Sequence, residues 1–313
     1  MNDVTDDLRA LIDDELRRAV PPAVVTLAER LAARAQGGAA AVLFYGSALR
    51  DSALDGVLDF YVLVDRVGDW PGSWLAACAN RVLPPNVGYL EEAVDGRSLR
   101  AKYAVMTVAQ FRRAMSVQRI DTTLWARFSQ PCACIHARSE ADRLTMRDAV
   151  CDAVVAAAHW AAMLGPLRAE PVAFWRALYA RTYAAELRVE RSTRGADLLA
   201  HDGPRYARLL PLAWEEGGLA FTTAPGEVAP VLAPDERTTA EHRWRRRRRL
   251  GPVLNLLRLL KAALTFDNAT DYVAWKVERH SGYRIEPTPF QRRHPLLAAP
   301  GIYWRLRRRG VLR

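Results

Sequence analysis

Gly46, Ser47 and Asp59 are the residues around which chemistry can be built, and the letters between them set the spacing. Ala41 to Tyr45 is an apolar run of strand type, and Gly46-Ser47 closes it. Gly46 removes a side chain where backbone must come close to something else. Ser47 sets a small hydroxyl beside its own N–H. A helix starting at Ser47 would turn its free N–H groups and its dipole toward an anionic phosphate. Val57 to Val64, VLDFYVLV, reads as a second strand with Asp59 at its mouth. A lone carboxylate there suits a hard cation that bridges triphosphate oxygens. This is the phosphate-and-metal corner that a nucleotidyl transfer needs. An ordinary strand–turn–strand with a capping serine would use the same letters. Against that alternative, an acid leading an otherwise apolar strand needs a partner.

The rest of the chain must hold this corner in place. With 313 residues, half of them hydrophobic, it can build one large domain or two. The net charge of +10 points to polyanionic partners: nucleic acid, nucleotide or an anionic lipid surface. The four cysteines form no C-x-x-C pair, and Cys132–Cys134 has no zinc spacing, so packing thiols are expected. The acidic, amphipathic N-terminus does not read as a secretory signal, and no uncharged run reaches spanning length. The expected location is cytoplasmic, soluble or peripheral on the inner face of a membrane.

Residues 4–19 and 22–35 read as amphipathic helices separated by Pro21-Pro22. Residues 73–82 read as a helix, Val87 to Glu91 and Leu99 to Thr107 as strands, and Asp95-Gly96 as a turn between them. Short helices follow at Val108 to Met115 and Thr122 to Phe128, then a strand at Cys132 to His136. Residues 143–163 and 171–191 are expected helices, and 215–236 an expected loop or linker. Arg245 to Arg249 is an unbroken arginine run, Leu254 to Phe266 a basic apolar helix, and Tyr272 to His280 a further short helix. The fold class read from this order is α/β: a small mixed sheet first (1–140), a mainly helical domain next (141–244), and a basic amphipathic C-terminal region last (245–313).

Several blocks, in order, resemble the mitochondrial-type phosphatidate cytidylyltransferases, the translocator assembly and maintenance family of the nucleotidyltransferase-fold superfamily. The blocks are Tyr45-Gly46-Ser47, Leu58-Asp59-Phe60, Asp65 and Trp70, Asn86 to Leu90, Lys102-Tyr103 with Val105, Arg127 with Pro131, and Tyr183, Glu186 and Arg188. They cover about residues 40–190, with a fainter echo at 253–266. The chain departs from the superfamily at Tyr61, where a second carboxylate usually stands, and the family resembled lacks that acid too. It departs from the family at Ala48, in place of a glycine, and at Glu186, in place of an aspartate.

The resemblance implies a polymerase-beta-like domain that makes CDP-diacylglycerol and pyrophosphate from CTP and phosphatidic acid, with Mg²⁺. Asp59, Lys102 and Arg127 would be catalytic. Tyr45, Gly46, Ser47 and Arg188 would hold nucleotide, and Asp59 with Glu186 would hold the metal. Each has a plainer alternative. Lys102 could face solvent, Arg127 and Arg188 could be structural ion-pair members, and Glu186 could pair with Arg188 or Arg191. Tyr183 could be core, and none of the six histidines has metal-ligand spacing. The arginine run, the leucines after it and Ile302 to Gly310 are expected to meet an anionic membrane, although Leu254 to Leu264 could instead pack into the helical domain. Two other functions fit the same letters: transfer to RNA or a small hydroxylated acceptor, and non-catalytic binding of lipid or nucleic acid on the same fold. The sequence identifies no protein partner.

Overall fold

A computed structural model describes residues 3–51, 54–119, 121–185, 193–265, 268–281, 286–293 and 304. In chain order its elements are α1 (Asp3–Leu16), α2 (Pro22–Arg34), β1 (Ala39–Tyr45), α3 (Ser47–Asp51), β2 (Val57–Val64), α4 (Trp74–Val82), β3 (Asn86–Val94) and β4 (Arg97–Thr107). Next come α5 (Val108–Ala114), α6 (Thr123–Phe128), β5 (Cys132–Ala137), α7 (Glu140–Leu164), α8 (Pro171–Ala185) and α9 (Thr193–Glu216). Last are β6 (Phe221–Ala224), β7 (Glu227–Pro230), α10 (Glu236–Thr265), α11 (Ala269–Ser281) and α12 (Pro289–Arg293). The class is α/β, as the sequence order implies. The chain forms two compact units, residues 1–19 with 107–256 and residues 20–106 with 257–313. These units interleave along the chain, whereas the sequence reading sets three domains end to end.

In the unit that carries β1 to β4, the strands lie in the order β3-β4-β2-β1. β1 and β2 are antiparallel, paired from Ala39↔Val64 at one end to Tyr45↔Asp59 at the other. β1 is buried through Phe44, and β2 is buried from Phe60 to Val64 on both faces. That explains the continuous apolar runs: a strand covered on both sides has no reason to alternate. Helix α2 starts at Pro22, where a missing N–H costs nothing, and buries Val24, Leu27, Ala28 and Leu31, one helical stripe. β3 and β4 form a hairpin whose turn residues, Asp95 and Gly96, have φ of 50° and 75°. Two consecutive left-handed residues match the twist of the flanking strands, which is why Asp-Gly is legible as a hairpin turn.

The other unit is mainly helical. α7 is buried along most of its length, and its alanines allow close approach from several sides. The large fillers are tryptophans whose ring N–H groups are satisfied by carbonyls: Trp160 donates to Val117 O (3.0 Å), Trp175 to Tyr206 O (3.0 Å) and Trp214 to Ala158 O (2.9 Å). Residues 215–236 are not a plain linker. They contain the β6/β7 hairpin, turned at Gly226 with φ 76°. Two four-residue strands in a Pro- and Gly-bearing segment give too little alternation to read. α9 has no counterpart in the sequence reading, because Gly203, Pro204 and Pro211 look like breakers; the chain kinks at Asp202 instead and continues. No described helix is long and apolar enough to cross a membrane.

The arginine run is part of α10, which begins at Glu236 rather than at Leu254. Within it Trp244 and Arg247 turn inward, 4% and 3% exposed. The Arg247 guanidinium lies 3.8 Å from the Trp160 ring centroid and donates to Val117 O (2.8 Å) and Arg119 O. Burial, then Arg243, pushes its pKa down to about 9, with Asp121 opposing. The segment Ile302 to Gly310 lies outside the described residues apart from Trp304, which is exposed.

α1 is tied to α7 by charge. Arg143 on α7 bonds Asp13 on α1 and its own Glu140, and Arg17 bonds Asp13 at 2.9 Å. Burial would raise the Asp13 pKa, but hydrogen bonds from Arg17 and Arg143 hold it below the usual carboxylate value. For Glu140 the Arg143 hydrogen bond is the main cause, again downward. A carboxylate with a depressed folded pKa stabilises above its unfolded pKa and loses that contribution as pH falls through the folded one. Arg143→Met should therefore flatten the loss of stability below about pH 4 relative to wild type. Urea melts from pH 6 to pH 3 check this, and parallel curves for the two proteins would overturn it.

Candidate active site

At the open end of the β1/β2 hairpin, the ladder brings Asp59 directly opposite Tyr45. Gly46 follows with φ +98°, a left-handed conformation in which a side chain is strained. A Cβ added to Gly46 would lie 3.1 Å from Asp59 Oδ2 and 3.7 Å from Asp59 Cβ. The carboxylate of Asp59 therefore stands over bare backbone, and glycine is what leaves that space open. Gly46 O accepts the Leu49 N–H at 3.3 Å, which turns the chain into α3. Ser47 is exposed at the start of this helix, and Asp59 is half-buried.

α3 is only five residues long. Its dipole is correspondingly small, so the exposed Ser47 hydroxyl and the N–H groups of the turn are the donors that matter here. Tyr61 stands two residues on from Asp59, opposite Leu43 and 2% exposed, with its ring 5.5 Å from Tyr45. Side chains two apart on a strand share a face, so Tyr61 gives Asp59 an aromatic neighbour where an acid would give a second charge.

Lys102 lies on β4, opposite Tyr89 of β3, and β4 is the sheet neighbour of β2. It is half-buried between the buried Ala101 and Tyr103. Arg127 lies on α6, half-buried, in the other unit. Glu186 and Arg188 lie outside the described residues. The structure thus brings together Tyr45, Gly46, Ser47 and Asp59, and sets Lys102 one strand away.

Two cations belong with this corner that the sequence reading omits. Arg50 is half-buried in the last turn of α3. Arg279, on α11, places Nη1 3.9 Å from where a Cβ on Gly56 would stand, against the loop that leads into β2. Spacing alone cannot reveal Arg279, because the fold rather than the sequence joins it to Gly56.

No protein-family model matches the chain, and no curated protein does either. The chemistry of the corner therefore stands on its own residues. Among the described residues, no group of three or more His, Cys, Asp or Glu could hold a metal ion. Mg²⁺ keeps waters and substrate phosphate oxygens and needs one or two carboxylates. Asp59, above the open backbone of Gly46, fits that requirement. All four cysteines are free; Cys78 is exposed, and burial pushes the Cys134 and Cys151 thiols up to about 12.

Proposed function

We propose that the chain is a CTP:phosphatidate cytidylyltransferase, working at the cytoplasmic face of a membrane on an anionic lipid surface. The observation that carries this reading is the Asp59 carboxylate over Gly46, with Tyr61 rather than an acid two residues on. A site with few carboxylates suits a nucleophile that needs no deprotonation. The phosphate of phosphatidic acid is already an anion near neutral pH, whereas a hydroxyl needs a general base. One of its oxygens attacks the α-phosphorus of CTP, the bond to the β-phosphate bridging oxygen breaks, and pyrophosphate leaves. Ser47 and the turn after Gly46 hold the terminal phosphates, and Tyr45 flanks them. Asp59 would hold Mg²⁺, which supplies charge neutralisation across the triphosphate when bound. Lys102 neutralises charge on the transferring phosphoryl and the pyrophosphate, and Arg127 keeps the catalytic role that the family resemblance gives it. Arg188 and Glu186 keep the nucleotide and metal roles that the family resemblance gives them.

A basic and apolar helix face supports the membrane half of the reading. His242, Arg245, Arg246 and Arg249 are exposed at helical spacing on α10 and line a cleft of about 520 Å³. The same stripe continues through Val253 and Leu256, which are 52% and 55% exposed. Cations followed by apolar residues on one face suit headgroup phosphates and the acyl boundary beneath them. Nucleic-acid phosphate would also satisfy the arginines but gives the apolar residues no partner.

The test is pyrophosphate release from CTP and Mg²⁺, with and without phosphatidic acid in mixed micelles. Release should require the lipid phosphate. Turnover with RNA or a hydroxylated acceptor, and none with phosphatidic acid, would overturn the lipid substrate.

A further inference from the structure

Helix α4 is built inside out. Its fully buried residue is polar: Asn80, whose Nδ2 donates to Val105 O on β4 at 2.8 Å. One turn earlier, Ala76 O accepts from Asn86 Nδ2 on β3 at 2.9 Å. Ser73 caps the helix by accepting the Ala76 N–H at 3.2 Å. Hydrogen bonds to β3 and β4, rather than apolar burial, hold α4 on the sheet.

The large apolar side chains stand on the other side. Trp74, Leu75 and Val82 are 60–85% exposed, and the Cys78 thiol is exposed among them. Steps of three and four residues put Leu75, Cys78 and Val82 on one face, and Trp74 lies one turn before Cys78. A globular domain normally turns such a face to its core, so an exposed one marks a contact surface. α10 passes the C-terminal end of α4, where Lys261 donates to Leu83 O at 2.6 Å and to Pro85 O. Within one turn before Lys261, Leu257 and Leu260 are exposed too.

Charge decides what covers the face. α4 carries no acid, and Arg81 is its only charged residue. A tryptophan, aliphatic side chains and one cation suit the boundary of an anionic bilayer: the ring sits at headgroup level, the aliphatics below it, and the guanidinium reaches back to phosphate. A second copy of the chain suits it less. Self-pairing of the patch brings Arg81 toward its own counterpart, and a net charge of +10 works against self-association.

We propose that the outer face of α4 is a membrane contact of the sheet-bearing unit, with Trp74, Leu75 and Val82 entering an anionic lipid surface. It rests on the membrane half of the function proposed above and adds a contact separate from the basic stripe of α10. The test labels Cys78 in the full chain with a nitrobenzoxadiazole probe, whose emission shifts to shorter wavelength on leaving water. Cys132 and Cys151 are buried, and Cys78→Ser reports any label placed elsewhere. Vesicles of equimolar phosphatidylcholine and phosphatidylglycerol are added, and co-sedimentation of unlabelled protein measures binding independently. The label should shift on the vesicles and be quenched by nitroxide-bearing acyl chains. Trp74→Ser combined with Leu75→Ser should weaken vesicle binding by roughly tenfold or more, the scale of two large side chains withdrawn from apolar contact. Its thermal melt should be unchanged, because both residues are exposed. Co-sedimentation without a label shift would overturn this contact and leave the α10 stripe standing. No co-sedimentation would overturn both. Unchanged vesicle binding in the double variant would overturn the contact, as would a label shift that grows with protein concentration in the absence of vesicles, which would assign the face to a second copy. Pyrophosphate release reads the chemistry of the Asp59 corner separately.

Discussion

Asp59→Asn is expected to lower phosphatidate-dependent pyrophosphate release by about 10³-fold while leaving the protein folded, the scale on which one preorganised electrostatic group acts in a closed site. Asparagine has the size of aspartate, so the space above Gly46 stays filled as before. Only the charge goes, and with it the group that would hold a cation on the triphosphate. The strand itself offers no replacement: the next side chain on the same face is Tyr61, and the ladder partner is Tyr45. The effect should fall on kcat/KM, since both nucleotide binding and the transition state use that charge. Gly46→Ala should also impair turnover, by a different route. Its Cβ would meet the Asp59 carboxylate at 3.1 Å on a backbone with φ +98°. Steady-state release, with far-UV circular dichroism as a control for folding, measures both. Activity within tenfold of wild type in Asp59→Asn would remove Asp59 from the chemistry.

The corner was legible because its information is local. An apolar run, Gly46-Ser47 and an acid opening the next run lie within twenty-odd letters, and an antiparallel pairing of such runs leaves few registers. β2 is legible with the bounds it has, since burial on both faces keeps the strand apolar after the acid. The β3/β4 turn was legible for the same reason, as Asp95-Gly96 states its own backbone. Long-range joins were not legible. Nothing in the spacing brings Arg279 to Gly56, or sets Arg34 beside Trp70 and Tyr103. The arginine run shows a second limit. Composition shows Arg245 to Arg249 as one basic run, but a helix turns every third or fourth residue to the same side, so Arg247 follows Trp244 inward. α9 shows a third, because proline at the first turn after a kink starts a helix as readily as proline elsewhere ends one.

Within α9 lies the residue whose loss should cost the most stability. Arg205 meets Glu15 of α1 through two hydrogen bonds, Nε to Oε1 at 2.5 Å and Nη2 to Oε2 at 2.8 Å, and Nη1 donates to Ser129 O at 3.1 Å. The two side chains are 10% and 13% exposed. Burial alone would lower the Arg205 pKa, but the Glu15 charge and hydrogen bonds outweigh it and hold the proton more tightly than usual. A forked pair at this depth differs from the exposed Arg176–Glu170 pair, where water screens both partners and little stability is at stake. Removing one buried partner strands the other's charge. Arg205→Met and Glu15→Gln should each destabilise by about 3–5 kcal/mol, because desolvation of the remaining ion is no longer offset. The double variant should be less destabilised than the sum of the two, since neither charge then stays buried alone. Urea unfolding of the four proteins closes the cycle. Single variants within about 1 kcal/mol of wild type, the range of surface pairs, would show that water reaches this pair after all.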